Sequence, residues 1–317
     1  MLEKQCTLFG EICRDDVPLA GGKGANLGDM TQAELPIPPG FVICAPAYRE
    51  VVESCGLDIR INELLADLDY NSANQLQEVE QQVRSLFEGI LITDELRHLI
   101  LERYRALGTD ARVAVRSSAT AEDLAGASFA GQQETILNVV GAKDLLNAVR
   151  RCWSSLYTSQ AIFYRHQRGF DGSQVSMAVV VQQMVDSEKS GVIFTVDPVL
   201  RNRFNMIIEA VWGLGEGIVS GAITPDHYKV DRETYEIIYE FVPEKPVMFC
   251  LNGNRGVMKL DVPPDRVSAR VLTDDELKEL IDLGNKVEEH FGYPQDIEWG
   301  IEDGQIYLLQ SRPITCL

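Results

Sequence analysis

The chain has 317 residues, of which 45% are hydrophobic and 24% charged, and its formal net charge is −19. This length is too great for one small core, so we expect one bilobed domain or two packed domains. The negative charge argues against a protein that binds a nucleic-acid backbone, because such binding needs a surface rich in lysine and arginine.

Cysteine usage and the opening residues bear on cellular location. The seven cysteines are odd in number, scattered, and form no C-x-x-C pair. This pattern favours reduced thiols over disulfides or a zinc site. No apolar stretch follows MLEKQC, so we expect no signal peptide. No apolar run approaches the roughly 20 residues that span a bilayer. We therefore expect a cytoplasmic protein that does not cross a membrane.

The first 48 residues are rich in glycine and proline. The run GGKGANLGDM at 21–30 predicts a tight loop that opens a short helix, and LPIPPGFVI at 35–43 predicts a rigid turn that leads into a strand. Glycines such as Gly22 let the backbone approach a ligand, and a helix start favours phosphate. Lys23 adds a positive charge, although the P-loop spacing is absent. A glycine turn with an exposed lysine is the alternative.

Helices and strands are mixed along the rest of the chain. Apolar residues at helical spacing predict helices over 45–55, 74–88, 93–107, 143–154 and 159–168. Thr273 and Glu276 form a capping box that starts a further helix, which ends by Gly292. Strands are expected over 112–115 and 175–185, within 190–198 and 206–221, and as a hairpin over 228–242. This order lacks a βαβ rhythm and predicts an α+β fold of two lobes, residues 1–188 and 189–317.

The run RSSATAED at 116–123 is a candidate phosphate-binding loop. Arg116 is expected to close the strand before it, among hydroxyl side chains. A guanidinium in this setting suits phosphate oxygens, with charge-assisted bonds of about 1.5–3 kcal/mol each. Pairing of Arg116 with Glu122 or Asp123 is the alternative. The glycine-rich run at 126–131 has the composition of a mobile lid, or of an ordinary connecting loop.

Two further stretches are candidates for binding the base and the sugar of a nucleotide. The strand over 175–185 ends in Gln182, Gln183, Met184 and Val185. A strand end can offer a carbonyl and an N–H to an adenine edge, with Met184 against the ring. A plain core strand is the alternative. Glu209 and the GLGEG run at 213–217 are weaker candidates for contact with ribose or phosphate.

The last two strands carry the most specific pattern. Asp296 and Glu298 share one face of a strand, and Ile297, Trp299 and Ile301 share the other. A three-residue turn with Gly304 left-handed is expected after this strand.

This turn fixes which residues of the final strand face the first. It would bring Tyr307 and Leu309 to the apolar face. The same register places Glu298 opposite Gln310, and Asp296 opposite Arg312. Two oxygen donors beside a guanidinium suit a Mg²⁺ ion that bridges phosphates, whereas a solvent-facing polar row is the alternative.

Several runs, in order along almost the whole chain, resemble one protein family. They are GGKGANLG, VAVRSSATAEDLAGASFAGQQET, VVQQMV, SGVIFTVDP, GLGEGIVSG and DIEWGIEDGQIYLLQSRPIT. The similarity is to the ATP-binding domain of the phosphoenolpyruvate-utilising dikinases. These include phosphoenolpyruvate synthase (pyruvate, water dikinase), pyruvate phosphate dikinase and rifampicin phosphotransferase. The resemblance implies an ATP-grasp-like fold with the nucleotide cleft between two lobes.

The resemblance also implies roles for the matching residues. It assigns phosphate binding and catalysis to three cations, Lys23, Arg116 and Arg312. It assigns the lid and its threonine to Gly131, Gln132 and Thr135, and the adenine-contacting strand end to Gln183, Met184 and Val185. It assigns metal binding to Glu298 and Gln310, with Asp296 at a further acidic position.

One departure from the family narrows the expected function. The family passes phosphate through a histidine on a swivelling domain, in a Gly-Gly-x-Thr-Ser-His context, and none of the four histidines here has that context. The chain then looks like the Mg-ATP-binding part of a phosphoenolpyruvate synthase-like enzyme, either a truncated piece or one half of a split enzyme. The β-phosphoryl group would pass to a histidine on a separate domain, in cis or in trans, with release of AMP. Pyruvate or another acceptor would bind elsewhere.

Two alternatives remain open at this point. One is the ATP-binding half of a rifampicin phosphotransferase, which would share the fold and differ in substrate. The other is a free-standing nucleotide-binding module without turnover. The domains that would separate these functions have no counterpart in the sequence.

Overall fold

The computed structural model of the protein describes residues 4–120, 134–168, 175–253 and 255–315. Backbone contacts divide the chain into two compact units. The first comprises Met1–Asp29 and Pro39–Gln183, and the second comprises Met30–Pro38 and Met184–Leu317. The predicted boundary between two lobes, at residues 188 and 189, stays a prediction.

The described residues form a mixture of helices and strands, which confirms the α+β prediction. The helices are α1 (Val17–Gln32), α2 (Ala45–Ser54), α3 (Leu57–Ala66), α4 (Ala73–Glu88), α5 (Asp94–Ala106), α6 (Ala142–Ser154), α7 (Ser159–Arg168), α8 (Glu216–Val219) and α9 (Asp274–Phe291). The strands are β1 (Cys6–Leu8), β2 (Gly40–Ile43), β3 (Val113–Ala119), β4 (Thr135–Val139), β5 (Met177–Gln183), β6 (Lys189–Phe194), β7 (Asn205–Trp212), β8 (Asp226–Asp231), β9 (Ile237–Phe241), β10 (Val247–Leu251), β11 (Val257–Asp261), β12 (Gln295–Glu302) and β13 (Gln305–Pro313).

The first unit is built on an antiparallel sheet of order β1-β2-β5-β3-β4. One face of this sheet, with Val115 and Val181, packs into a core shared with helix residues such as Val83 and Trp153. Helix α1 lies on the opposite face, where a Cβ on Gly24 would stand 3.1 Å from Cγ2 of Val42. The core face is therefore closed by several helices, and the other face carries the glycine-rich segment.

Helix ends follow the capping chemistry expected from the sequence. Thr273 Oγ1 accepts the backbone N–H of Glu276 at 3.3 Å, and Gly292 ends α9 in a left-handed conformation with φ 79°. Gly56, the residue after the helix predicted over 45–55, stands immediately before helix α3, which the sequence did not predict, with φ 61°. One left-handed glycine thus separates two helices without a longer loop.

Two strands differ in extent from the expectation, and the pairing explains both. Strand β3 continues to Ala119, because Arg116, Ser117 and Ser118 all pair with β5. Arg116 therefore lies inside a strand and does not close it. Strand β5 ends at Gln183, not at Val185, and the backbone N–H of Gln183 donates to Pro39 O at 2.9 Å.

The second unit is built on an antiparallel sheet of order β13-β12-β6-β7-β8-β9. Helix α9 covers one face, where a Cβ on Gly284 would stand 3.4 Å from Cγ2 of Ile193. The β8–β9 hairpin confirms the prediction over 228–242. The half-exposed ribbon β10–β11 is an additional element that the sequence did not predict. Among the helices formed by described residues, none combines the length and the apolar composition needed to cross a membrane.

Candidate functional site

The candidate residues fall into two groups, one in each compact unit. In the first unit, the group begins at Gly21, which breaks α1 with φ 68° and ψ 171°. Helical geometry resumes after it, so Gly22, Lys23 and Gly24 form the first turn of the continuing helix. This matches the predicted loop that opens a helix. Lys23 is buried, so the alternative of an exposed lysine is wrong.

Ser118 of β3 holds this helix start in place. Its Oγ accepts the backbone N–H of Gly24 at 3.2 Å and donates to Ala20 O at 2.9 Å. A Cβ on Gly21 would collide with the Ser118 carbonyl and hydroxyl. The close approach of the two backbones therefore requires glycine at position 21.

Strand register brings two more candidates to the same face of the sheet. Arg116 lies directly opposite Thr135 on β4 and Val180 on β5. Residues opposite one another in an antiparallel sheet, and residues two apart along a strand, share a face. Arg116, Thr135 and Ser118 thus share the face on which α1 lies. Gly131 and Gln132 fall outside the described residues, as do Glu122 and Asp123, the alternative partners of Arg116.

Gln182 belongs to the strand end that the sequence singled out, although only Gln183, Met184 and Val185 were expected to contact a ligand. It lies on the Arg116 face of β5, opposite Ala114 and Gly40. Its side chain is buried, with 1% exposed, and no described residue accepts a hydrogen bond from its Nε2. A buried amide without a protein partner is costly unless a ligand satisfies it. Gln183, which the sequence suggested, is partly exposed. It pairs with Val113 and therefore lies on the other face of the sheet.

The second group lies on β12 and β13, whose pairing confirms the predicted register. Glu298 stands opposite Gln310, and Asp296 stands opposite Arg312. Gln310 Nε2 donates to Glu298 Oε1 at 3.4 Å, and Arg312 Nε donates to Asp296 Oδ2 at 2.8 Å. These four polar side chains lie on the face opposite α9.

The turn and the strand pairing that produce this register differ from the prediction. The turn between the strands has two residues, Asp303 and Gly304, with φ values of 49° and 74°, as in a type I′ turn. A regular ladder from this turn would place Leu309 opposite Glu298. A bulge between Glu298 and Trp299 pairs Glu298 with Gln310 instead and skips Leu309.

This bulge also decides which side chains of β13 reach the core. Ile306 and Leu308 are buried, whereas Tyr307 and Leu309 are only partly buried. The expectation that Tyr307 and Leu309 join the apolar face is therefore wrong. The extra residue returns Gln310 to the face of Glu298, which is the usual effect of a bulge on the side chains that follow it.

The polar row continues across the sheet beyond the two final strands. Val192 lies between Glu298 and Glu209 in the ladder, and His227 follows Glu209 on β8. His227 Nδ1 lies 3.3 Å from Glu209 Oε1. The structure thus places Glu209 on the same face as Glu298 and Gln310. His227 is a neighbour that the sequence reasoning did not select.

Asp296 is the member of this polar row whose charged form is disfavoured by its surroundings. Burial raises the pKa of its carboxyl group, and the nearby carboxylates of Glu298 and Glu209 raise it further. Arg312 opposes both effects but does not cancel them. A cation added to this face would relieve the repulsion among the three carboxylates.

The donor set of this face fits Mg²⁺. The described residues contain no cluster of three His, Cys, Asp or Glu side chains that could hold a metal. Mg²⁺, however, commonly takes only one or two carboxylates and completes its shell with phosphates and water. Glu298 supplies a carboxylate, and half a turn of the Gln310 amide presents its Oε1 beside it. The pair therefore suits a metal that arrives with a polyphosphate.

The remaining candidates lie just after β5. Met184 is partly buried and Val185 is buried, and both follow the end of the strand. They open the longer stretch of the second unit, whereas Gln183 is the last residue of the first. Their contact with an adenine ring stays a prediction.

Comparison with known proteins identifies the family. Residues 17–317 match the family described as "Pyruvate phosphate dikinase, AMP/ATP-binding domain". The chain is 48% identical over 319 residues to a probable phosphoenolpyruvate synthase of Methanothermobacter thermautotrophicus, covering 99% of this chain and 46% of that protein. It is 44% identical over 354 residues to the phosphoenolpyruvate synthase of Pyrococcus furiosus, covering 98% and 43%. It is 38% identical over 310 residues to the rifampicin phosphotransferase of Bacillus cereus, covering 98% and 36%.

The chain thus spans less than half the length of these relatives, and almost all of it takes part in each match. The match includes the glycine-rich segment, β3, and the β12–β13 ribbon, which carry the two groups of candidate residues. The chain belongs to the pyruvate phosphate dikinase AMP/ATP-binding domain family.

Proposed function

We propose that the chain binds Mg-ATP and is the ATP-cleaving part of a phosphoenolpyruvate synthase-like phosphotransferase with an ATP-grasp-like fold. The observation that carries this proposal is the pairing of Glu298 with Gln310 beside Asp296 and Arg312. A bulge creates that pairing. It places the two oxygen donors of Glu298 and Gln310 beside the guanidinium of Arg312. Family membership supplies the nucleotide class.

The proposal gives each group of candidate residues a role in binding Mg-ATP. Lys23, Arg116 and Arg312 neutralise the phosphates, and the helix start after Gly21 adds backbone N–H groups. Glu298 and Gln310, with Asp296 as a further acidic neighbour, hold a Mg²⁺ ion, which supplies charge neutralisation when bound.

The remaining assignments concern the base, the sugar and the lid. Thr135 binds a phosphate oxygen beside Arg116, and Gly131 and Gln132 belong to the lid. The strand end at Gln183, Met184 and Val185 contacts the adenine through backbone groups and the Met184 side chain. The side chain of Gln182, on the Arg116 face, is an added polar contact. Glu209 binds the ribose.

The reaction passes the β-phosphoryl group of ATP to a histidine on a separate domain and releases AMP. Balance of atoms then requires the γ-phosphoryl group to leave as phosphate, with water as the co-reactant. Charge spread over the transferring group is the main demand on the protein, and the three cations meet it. No nucleophile from this chain is required.

Pyruvate is the acceptor that the comparisons favour. The relatives named phosphoenolpyruvate synthase that are cited above are 44–48% identical to this chain, and the rifampicin phosphotransferase is 38% identical. A rifampicin acceptor and a module without turnover are the alternatives that the following experiment addresses.

The test combines the chain, Mg-ATP and the remainder of the Methanothermobacter relative as a separate protein. We expect AMP and phosphate in the nucleotide fraction, and one added phosphoryl group on the remainder by mass spectrometry. Replacing Arg116 with alanine should reduce transfer by at least about tenfold and change nucleotide affinity much less, because its charge acts on the transferring group. ADP as the only product would refute the dikinase reaction. Tight Mg-ATP binding without any product would favour the module without turnover.

A further inference from the structure

Glu134 carries a largely buried carboxylate that has no part in the proposed nucleotide contacts. It stands immediately before Thr135, the first residue of β4, and its side chain is only 15% exposed. A charge in this setting is costly unless partners of opposite sign neutralise it. The partners of Glu134 show what the carboxylate holds in place.

Two arginines contact this carboxylate. Arg151 of α6 donates to Glu134 Oε1 from Nε at 3.1 Å and also from Nη2. Arg84 of α4 places its Nη1 3.7 Å from Glu134 Oε2, an ion pair without a hydrogen bond. Arg84 is fixed in turn by Glu80, which accepts its Nε–H at 3.1 Å and the backbone N–H of Ser159 at 2.8 Å. The carboxylate thus ties the start of β4 to two helices.

The backbone of Glu134 is joined to β3 at the same point. Ser117 donates its N–H to Glu134 O at 3.0 Å, and Ser117 Oγ accepts the N–H of Glu134 at 3.0 Å. Successive residues of an extended chain point to opposite faces of the sheet. Glu134 and Ser117 face the helices. Arg116 and Thr135, their direct neighbours in sequence, therefore share the other face, on which α1 lies.

The ion pairs of Glu134 thus lie directly behind two residues of the proposed phosphate site. A neutral amide at position 134 would lose both ion pairs and would turn its NH₂ group toward one of the two guanidinium groups. The start of β4 would then shift relative to the helices. A displacement of about 1 Å in a group that contacts the reacting phosphate can slow a reaction about a hundredfold.

We propose that the Glu134 carboxylate positions Arg116 and Thr135 for phosphoryl transfer. It acts through its ion pairs with Arg84 and Arg151, from the face of the sheet opposite the phosphates, and it touches neither the nucleotide nor the metal. This inference rests on the proposed function, in which Arg116 stabilises the transferring group. Glu134 is therefore a positioning residue.

The test measures AMP formation and Mg-ATP affinity for the full chain, with the remainder of the Methanothermobacter relative as the acceptor. Glu134→Gln should slow AMP formation at saturating Mg-ATP at least about tenfold and change the Kd for Mg-ATP less than about threefold, because the phosphates stay bound but are misaligned. In the Arg116→Ala background, the same change should slow the reaction less than about threefold further, because residues that act through one another are not additive.

Glu288→Gln is the matched control. Glu288 of α9 is 20% exposed and pairs with Arg232 at 2.9 Å. Like Glu134, it has a buried Oε2 that accepts no hydrogen bond within the described residues. Its replacement should lower the urea midpoint about as much as Glu134→Gln does, but should leave AMP formation within about twofold of the native rate.

Arg151→Gln is a second variant for the same test. Arg151 is 52% exposed, so its replacement disturbs the fold less than a change at Glu134, and it removes the hydrogen-bonded ion pair. If Glu134→Gln does not fold, Arg151→Gln takes its place, with a slower reaction and the same lack of additivity with Arg116→Ala.

Three results would overturn the positioning role. They are a native rate in the folded variant, a full additional loss in the Arg116→Ala background, and an equal loss of rate in Glu288→Gln. Absence of AMP with the native chain is a distinct outcome, which would refute the proposed function and, with it, the inference that rests on it.

Discussion

At the scale of single residues, negative charge is concentrated on the face where the proposed Mg²⁺ ion would bind. Asp296 is held against Glu298 and Glu209, and only Arg312 offsets them among the groups that shift its pKa. Such an arrangement costs stability in the absence of a cation, and residues retained at that cost are commonly functional. The raised pKa of Asp296 gives a test of this charge arrangement that does not depend on activity.

The test compares the native chain with Asp296→Asn across pH. The folded-state pKa of Asp296 lies above its ordinary value, so the folded state binds the proton more tightly than the unfolded state. The stability of the native chain relative to the variant should then be greatest in acid and fall as the pH rises through the raised pKa. Urea midpoints between about pH 3 and pH 8 measure this difference.

Asp231→Asn is the matched control with the opposite sign. Backbone N–H groups of Thr234 and Glu233 lower the pKa of the Asp231 carboxyl. The native chain should therefore gain stability over this variant above the ordinary pKa, and lose that gain as the pH falls through the lowered value. Slopes of equal sign for the two variants would contradict the assignment for Asp296.

At the scale of secondary-structure elements, the helix start at Gly21 depends on a close contact as well as a backbone conformation. Gly21 and Gly56 have similar φ values, 68° and 61°. A Cβ would collide with Ser118 at position 21, whereas no heavy atom lies within 4 Å of one at position 56. Alanine substitutions at Gly21 and Gly56 therefore separate the effect of a steric collision from the effect of backbone strain.

Gly56→Ala should cost about 1–2 kcal/mol of stability, the strain of a left-handed alanine. Gly21→Ala should cost more and should also weaken Mg-ATP binding at least tenfold, because Lys23 and its helix start must move away from β3. Calorimetry and urea unfolding of the two variants measure the difference. Equal effects on nucleotide binding would show that the placement of this helix by Ser118 is unimportant.

The sequence predicted elements best where periodicity or capping is strong. The alternation of Asp296 to Ile301 gave the faces of β12, and two signals, Thr273 with Glu276 and Gly292, gave the ends of α9. The bulge at Leu309 could not be predicted, because the turn and the bulge change the register in compensating ways. The predicted pairing was therefore right although the predicted turn was wrong.

The uniform burial of strand β5 concealed that Gln182 shares a face with Arg116. Strand β5 reads MAVVVQQ, with six buried residues in succession, so its alternation does not reveal which face a residue takes. Only the pairing of Arg116 with Val180 shows that Gln182, and not Gln183, shares the Arg116 face. The ribbon β10–β11 was missed because its strands are short and half-exposed, with weak alternation.

At the scale of the whole molecule, the two compact units contribute different chemistry. The first offers Lys23 and Arg116 on one sheet face, and the second offers Glu298, Gln310 and Arg312 on another. The family match covers both units, and the chain corresponds to less than half of each cited relative. In the proposed function, ATP binding therefore belongs to this chain and the completion of phosphoryl transfer to a separate domain.

The most direct measurement of this account is isothermal titration calorimetry of the full chain with ATP, with and without Mg²⁺. We expect binding that requires Mg²⁺ in the native chain and that is lost in both Glu298→Ala and Gln310→Ala, because each removes one oxygen donor. Glu279→Ala, an exposed change on α9, should bind like the native chain. Native, Mg²⁺-dependent affinity in both the Glu298 and the Gln310 variants would contradict the metal site and, with it, the central claim.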